Sequence, residues 1–210
     1  CTASIKESLH IKSDILIPRS IIYESNEYII TSIQQYSFLR DMKIKSIRFA
    51  QNSEVHTIEQ SAFFYSSISS IVFPASIENL KCFSNSTSDL NFVSIPPSNS
   101  HFLTINNSLI IGKADPNSDD FNSLLFVSRN MTNLTVPPFI KYINSYSFAN
   151  CQSIQKVEFS EDSELVSIEE NAFQGSSIQF IYFPPKLEHL QDYWCNYSIK
   201  LNMIKISPEN

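Results

Sequence analysis

The chain has 210 residues, a formal net charge of −6 and 42% hydrophobic residues. Scattered basic residues on an acidic chain give no electrostatic footprint for nucleic acid, and no run reaches the ~18 apolar residues of a membrane-crossing helix. The length is enough for a full hydrophobic core in one domain.

In chain order, the N-terminal stretch CTASIKESLHIKSD lacks the apolar core of a secretory signal. That leaves a processed, a cytosolic or a partial chain open. The first strand-like run is Ile15-Leu16-Ile17, closed by Pro18. Runs of the same kind follow at Ile71-Val72-Phe73-Pro74 and Val93-Ser94-Ile95-Pro96, then at Leu134-Thr135-Val136-Pro137, Ile181-Tyr182-Phe183-Pro184 and Ile204-Lys205-Ile206. Their β-branched content and period of two predict short strands, and proline lacks the donor that would extend the ladder. Between them stands a second marker, an aliphatic residue followed five positions later by Phe: Ile33/Phe38, Ile58/Phe63, Ile143/Phe148 and Ile168/Phe173. The segment joining the two residues is too short for an ordinary helix and predicts one turn of helix or 3₁₀. The Phe residues of successive coils are expected to stack as an aromatic spine.

Residues 31–83 recur at 141–193 at a constant offset of 110. IEQSAFFYSSISSIVFP (58–74) aligns with IEENAFQGSSIQFIYFP (168–184). The duplication extends over 31–97 and 141–208, with an insertion at about 99–130 falling between the copies. A repeat of this kind predicts one stacked solenoid over 1–210, with a parallel sheet receiving one strand from each coil.

The segment LTVPPFIKYINSYSFANCQSIQKVEF (134–159) resembles the BspA-like leucine-rich repeat, through Leu134, Val136, Pro137, Ile140, Ile143, Phe148, Cys151, Ile154 and Val157. HFLTINNSLI (101–110), followed by LLFV (124–127), is similar to the hairpin insertion found between such repeats. The resemblance implies a β-rich leucine-rich-repeat solenoid with a parallel β-sheet, short helical or 3₁₀ turns and one β-hairpin-like insertion. It also implies a non-catalytic, surface-exposed module that binds host, matrix or other cell proteins. Two features depart from the family pattern. Gln34, Glu59, Asn144 and Glu169 stand where the family usually has Gly, so the turns are expected to rely on Asn, Ser and Asp. The family cysteine is kept at Cys151, while Asp41, Ser66 and Ser176 stand at or near its place elsewhere.

Candidate contact residues are those between the inward aliphatics of each strand: Arg48, Ser70, Val72, Glu158, Phe180 and Tyr182. They are expected to line the concave sheet face, with Phe180 and Tyr182 as aromatic anchors. Glu158, Glu161, Asp162, Glu164, Glu169 and Glu170 form an acidic group that the first copy lacks, suited to steering a basic partner. Five N-glycosylation sequons start at Asn85, Asn106, Asn130, Asn133 and Asn196, in what read as loops. No cofactor or metal site is expected. The loop 115–126 imitates a calcium loop at Asp115, Asn117 and Asp119, but has Asp120 and Phe126 where the turn glycine and bidentate Glu belong. His10, His56, His101 and His189 do not cluster, and no catalytic triad can be assembled. Cys1, Cys82, Cys151 and Cys195 show no metal or redox spacing and read as buried thiols, with Cys82 and Cys195 several coils apart. The strand-like run at 201–210 stops in mid-pattern. This points to a continuing chain, or to an end that meets a partner or a second copy end to end. Location reads as cell surface or secreted, with a cytoplasmic scaffold in a larger assembly as the alternative. A carbohydrate-active parallel β-helix enzyme would need charged residues converging on one sheet face, where the pattern supplies mostly Ser, Gln and hydrophobes.

Overall fold

A computed structural model describes residues 2–6, 13–81, 83 and 87–206. Cys1, His10, Cys82 and Asn85 lie outside the described residues. The chain divides into two compact units, Cys1–Asn107 and Ser108–Asn210.

Unit 1 contains β1 (Thr2–Ile5), β2 (Asp14–Ile17), β3 (Ser20–Tyr23), β4 (Asn26–Ile33), β5 (Ser46–Phe49), β6 (Thr57–Ile58), β7 (Ser70–Val72), β8 (Asn79–Leu80), β9 (Phe92–Ser94) and β10 (Phe102–Ile105). Two parallel sheets form, β1-β4-β6-β8 and β2-β5-β7-β9. From β4 onward the chain alternates between them, so each coil gives one strand to each sheet. β3 folds back antiparallel on β4. This hairpin has no counterpart among the sequence expectations. Its two-residue turn, Glu24-Ser25, is left-handed at both positions (φ 46° and 63°) without the Asn-Gly pair that usually marks such a turn.

Unit 2 contains β11 (Leu109–Gly112), β12 (Ser123–Val127), β13 (Asn133–Val136), β14 (Tyr142–Ile143), β15 (Lys156–Phe159), β16 (Ser167–Ile168), β17 (Phe180–Phe183), β18 (His189–Leu190) and β19 (Met203–Ile206). Its strands run β12-β14-β16-β18 and β13-β15-β17-β19, both parallel, with β11 antiparallel on β12. The proline-ended runs are therefore strands, and β10, β11 and β12 all fall within the insertion. In β17 the outward Phe180 and Tyr182 alternate with buried Ile181 and Phe183.

Both cores follow the repeat. Ile33, Ile58, Ile47 and Ile71 in unit 1, and Ile143, Ile168, Val157 and Ile181 in unit 2, are buried. Burying each such side chain contributes about 1.5–3 kcal/mol. The aromatic spine forms within each unit: Phe38 stacks on Phe63 at 5.4 Å, and Phe148 on Phe173 at 4.2 Å with ring planes 9° apart. Trp194 then closes edge-on against Phe173 and Phe183.

The Ile-to-Phe segments are turns, and no helix occurs among the described residues. The reason is a left-handed residue three positions after each aliphatic marker, at Tyr36, Ser61, Tyr146, Asn171 and Tyr193, with a second at seven positions, at Arg40, Tyr65, Asn150, Gly175 and Tyr197. Such residues interrupt a right-handed turn before it can propagate. The N–H groups freed by this geometry reach the adjacent coil: Phe38 donates to the Ala62 carbonyl and Phe148 to that of Ala172, both at 2.8 Å. Expected turn formers Asn and Ser hold three of these ten sites, while tyrosine holds five. The Gly-replacing residues Gln34, Glu59, Asn144 and Glu169 are not left-handed, so the missing glycines cost the coils nothing there.

At the far end of unit 2, Ile204 and Ile206 are 49% and 57% exposed, whereas Ile181 and Phe183, their partners on β17, are 1% and 4%. A cavity of about 380 Å³ lies there between Phe183, Leu187, Leu190 and Ile206.

Candidate protein-binding face

In unit 2 the alternation along β13, β15, β17 and β19 turns one residue row fully outward: Asn133, Lys156, Phe180 and Met203 are paired strand to strand. Beside it, Thr135 pairs with Glu158 and Tyr182 with Lys205. Phe180 and Tyr182 are 38% and 41% exposed. Their surroundings are charged. Lys156 Nζ lies 2.6 Å from Glu158 Oε1, and Lys205 Nζ sits 4.6 Å from the centre of the Tyr182 ring. An ammonium over a tyrosine face is attracted by the ring quadrupole. The face thus joins two aromatic rings to charges of both signs.

The first copy presents a different surface in the same frame. Asp14, Ser46, Ser70 and Phe92 form one row, and Leu16, Arg48, Val72 and Ser94 the other. Arg48 is exposed and Val72 half-buried. Ser46 Oγ and Ser13 Oγ donate to the Asp14 carboxylate, and these hydrogen bonds, helped by Arg48, hold its pKa below the usual range. Between the copies Arg48 becomes Glu158, Ser70 becomes Phe180 and Val72 becomes Tyr182. Met203 and Lys205 join the face without having been read from the sequence. The coil spacing that relates Phe180 to Met203 was the available signal.

The model of the BspA type leucine-rich repeat region matches residues 17–109 and 119–210, in six copies. The chain belongs to the BspA-type leucine-rich repeat family. The unmatched stretch between the two blocks runs from β11 into the loop before β12, within the insertion. Among solved structures, this BspA-type chain is similar to the pneumococcal vaccine antigen PcpA (TM-score 0.68, 19% identity, 94% of this chain and 51% of that one). It is also similar to a leucine-rich repeat protein from Eubacterium ventriosum (TM-score 0.62, 15% identity, 92% of this chain and 60% of that one). Both likenesses concern the fold, and the chain spans about half to three fifths of these proteins. No curated protein sequence matches it.

The BspA-type cysteine position is a buried slot in four coils: Asp41, Ser66, Cys151 and Ser176 are all nearly inaccessible. Asp41 Oδ1 accepts the N–H groups of Lys43 and Ile44, and Ser66 Oγ donates to the Phe63 carbonyl. In unit 2 the slot bonds outside its own turn: Cys151 Sγ lies 3.8 Å from the Val127 carbonyl, and Ser176 Oγ is 3.1 Å from Ser198 Oγ. Burial pushes the Cys151 thiol upward, against the opposing pull of Arg129, whose Nη1 is 3.4 Å from Sγ. Cys195 is half-buried, in place of the full burial expected. Arg129 itself carries no mark in the repeat pattern. It is buried over the Phe126 ring at 4.7 Å and donates to the Ser147 carbonyl at 3.0 Å.

The remaining candidates disperse. Acidic residues 158–170 follow the coil from β15, around the turn at Glu161, Asp162 and Glu164, to Glu169 and Glu170 beyond β16. Strands β15 and β16 belong to different sheets, so these residues do not share one face. His56, His101 and His189 stand on separate segments, His56 Nδ1 being 3.4 Å from Glu78 and His189 Nε2 3.9 Å from Glu188. In the loop at 115–126, Asp115 Oδ1 accepts the Asn117 N–H and Asp119 lies 3.6 Å from Lys113. Asn106 and Asn130 are exposed in turns, and Asn196 is half-buried. Asn133 is exposed but opens β13, against the expectation that every sequon lies in a loop.

Proposed function

We propose that this chain is a non-catalytic protein-binding module, secreted or displayed at a cell surface, that meets a host, matrix or other cell-surface protein through the outward faces of its parallel sheets. The reading takes residues 1–210 as a single repeat domain made by copying one block. The observation that carries it is the exposed pair Phe180 and Tyr182, two aromatic rings on one strand, bordered by Lys156, Glu158 and Lys205. Aromatic anchors ringed by polar groups are the usual composition of binding hot spots. Leucine-rich repeats commonly serve as protein-binding surfaces and seldom as enzymes. The similarity of fold to a pneumococcal vaccine antigen supports an exposed location.

Binding to immobilised extracellular-matrix proteins tests the reading. Replacing Phe180 and Tyr182 together by Ala is expected to weaken it by about tenfold or more, since hot-spot truncations cost ~2 kcal/mol or more. Replacing Arg48 and Val72 should have a smaller effect. Equal loss from both pairs, or loss from neither, would count against the second-copy face. A second reading, an intracellular scaffold inside a larger assembly, is favoured by the free thiols Cys151 and Cys195.

A further inference from the structure

In unit 1 the hairpin of β3 and β4 begins at Arg19, whose Nε donates to Glu54 Oε1 at 2.9 Å while Nη2 donates to the same oxygen. Glu54 stands on the turn between β5 and β6. Its counterpart at the repeat offset is Glu164, on the turn between β15 and β16. The two turns are built alike: Ser53 Oγ accepts the Val55 N–H and Ser163 Oγ that of Leu165, each at 3.3 Å.

What covers the carboxylate differs. Residues 18–31 lead from β2 to the end of β4 that pairs with β6, whereas residues 137–141 suffice between β13 and β14. The second copy therefore has no hairpin and no arginine at this place. Glu164 is met by Lys141 Nζ at 3.6 Å, an exposed pair that solvent screens. Above it opens a cavity of about 290 Å³ lined by Phe139, Phe121, Asp119, Asp120, Lys141 and Glu164. Phe139 is 43% exposed. Phe121 already carries a cation, Lys113 Nζ at 5.2 Å from its ring centre.

We propose that this cavity receives an arginine side chain from a protein partner. The occupant's guanidinium would take the place that Arg19 holds in the first copy, donating to Glu164. Its flat face suits Phe139, and Asp120 supplies negative potential that draws it in, Asp119 being shared with Lys113. Arginine fits better than lysine because a planar fork can bind a carboxylate and stack on a ring at once. The proposal rests on the reading of the chain as a protein-binding module, but uses a site separate from the Phe180 and Tyr182 face.

The test is a titration of the full ¹⁵N-labelled chain with a Gly-Ser decapeptide carrying one central arginine, beside its lysine twin. The expected result is saturable shift changes confined to residues 119–122, 139–141 and 164. Glu164→Gln and Phe139→Ala, each with an unaltered thermal transition, should each weaken binding by about tenfold. Removing Phe180 and Tyr182 should leave the titration unchanged, so this site and the sheet face can fail independently. No shifts at millimolar peptide, equal binding of the lysine twin, or full affinity in Glu164→Gln would overturn the proposal.

Discussion

Gly175 occupies the one left-handed turn site filled by glycine, with φ 62°. A Cβ there would come to 3.0 Å from Asn150 Oδ1. Its carbonyl also accepts Gln152 Nε2 at 2.7 Å, and its N–H reaches the Asn196 carbonyl at 2.8 Å. Gly175→Ala must keep this backbone and bear the left-handed penalty, so it should lower stability by about 1–2 kcal/mol, read from denaturant midpoints at unchanged slope. An unchanged midpoint would show that the turn relaxes. The equivalent sites with Tyr65 and Tyr197 already bear that penalty. Here the sequence was misleading for a physical reason. The family pattern places glycine directly after the aliphatic marker, where the backbone of this chain is not left-handed. The strained sites lie two and six residues further on, where tyrosine gives no warning.

At the scale of elements, the stack of Phe148 on Phe173 joins two coils of unit 2 through rings that are both fully buried. Phe148→Ala leaves a cavity between coils that stay tied by the hydrogen bond from the residue 148 N–H to the Ala172 carbonyl. A loss of about 3–5 kcal/mol is expected in chemical unfolding. A loss below about 1 kcal/mol would mean that the coil collapses around the gap. Strands that end in proline were legible, because a period of two and a missing donor are both written in residue types. Two-residue strands such as β6, β14 and β18 were not, since two residues carry no period. The β3–β4 hairpin was also hidden, its turn being Glu-Ser. Arg19, the group that hairpin delivers to Glu54, was hidden with it.

For the whole molecule, the sequence reached the family through the repeat, but location depends on features outside packing. Asn106, Asn130 and Asn133 are exposed and open to modification, while Asn196 is half-buried in a turn that pairs with Gly175. Mass analysis of the native protein should find glycans on the three exposed residues ahead of Asn196 if the chain is exported through a glycosylating pathway. Unmodified asparagines at all of them would favour the intracellular scaffold. Asn133 adds a constraint, because it shares its row with Lys156, Phe180 and Met203. A glycan at that position would stand at one side of the proposed binding face.

That row is unbroken by any register shift across β13, β15, β17 and β19. Its residues therefore recur at the inter-strand spacing of about 4.8 Å. An extended peptide laid across the strands shows one side chain to the sheet every ~6.7 Å, and a helix completes a turn every ~5.4 Å. Over three intervals the peptide slips by about 6 Å and the helix by about 2 Å. The sheet is thus a ruler, and a partner must be commensurate with it to touch every strand.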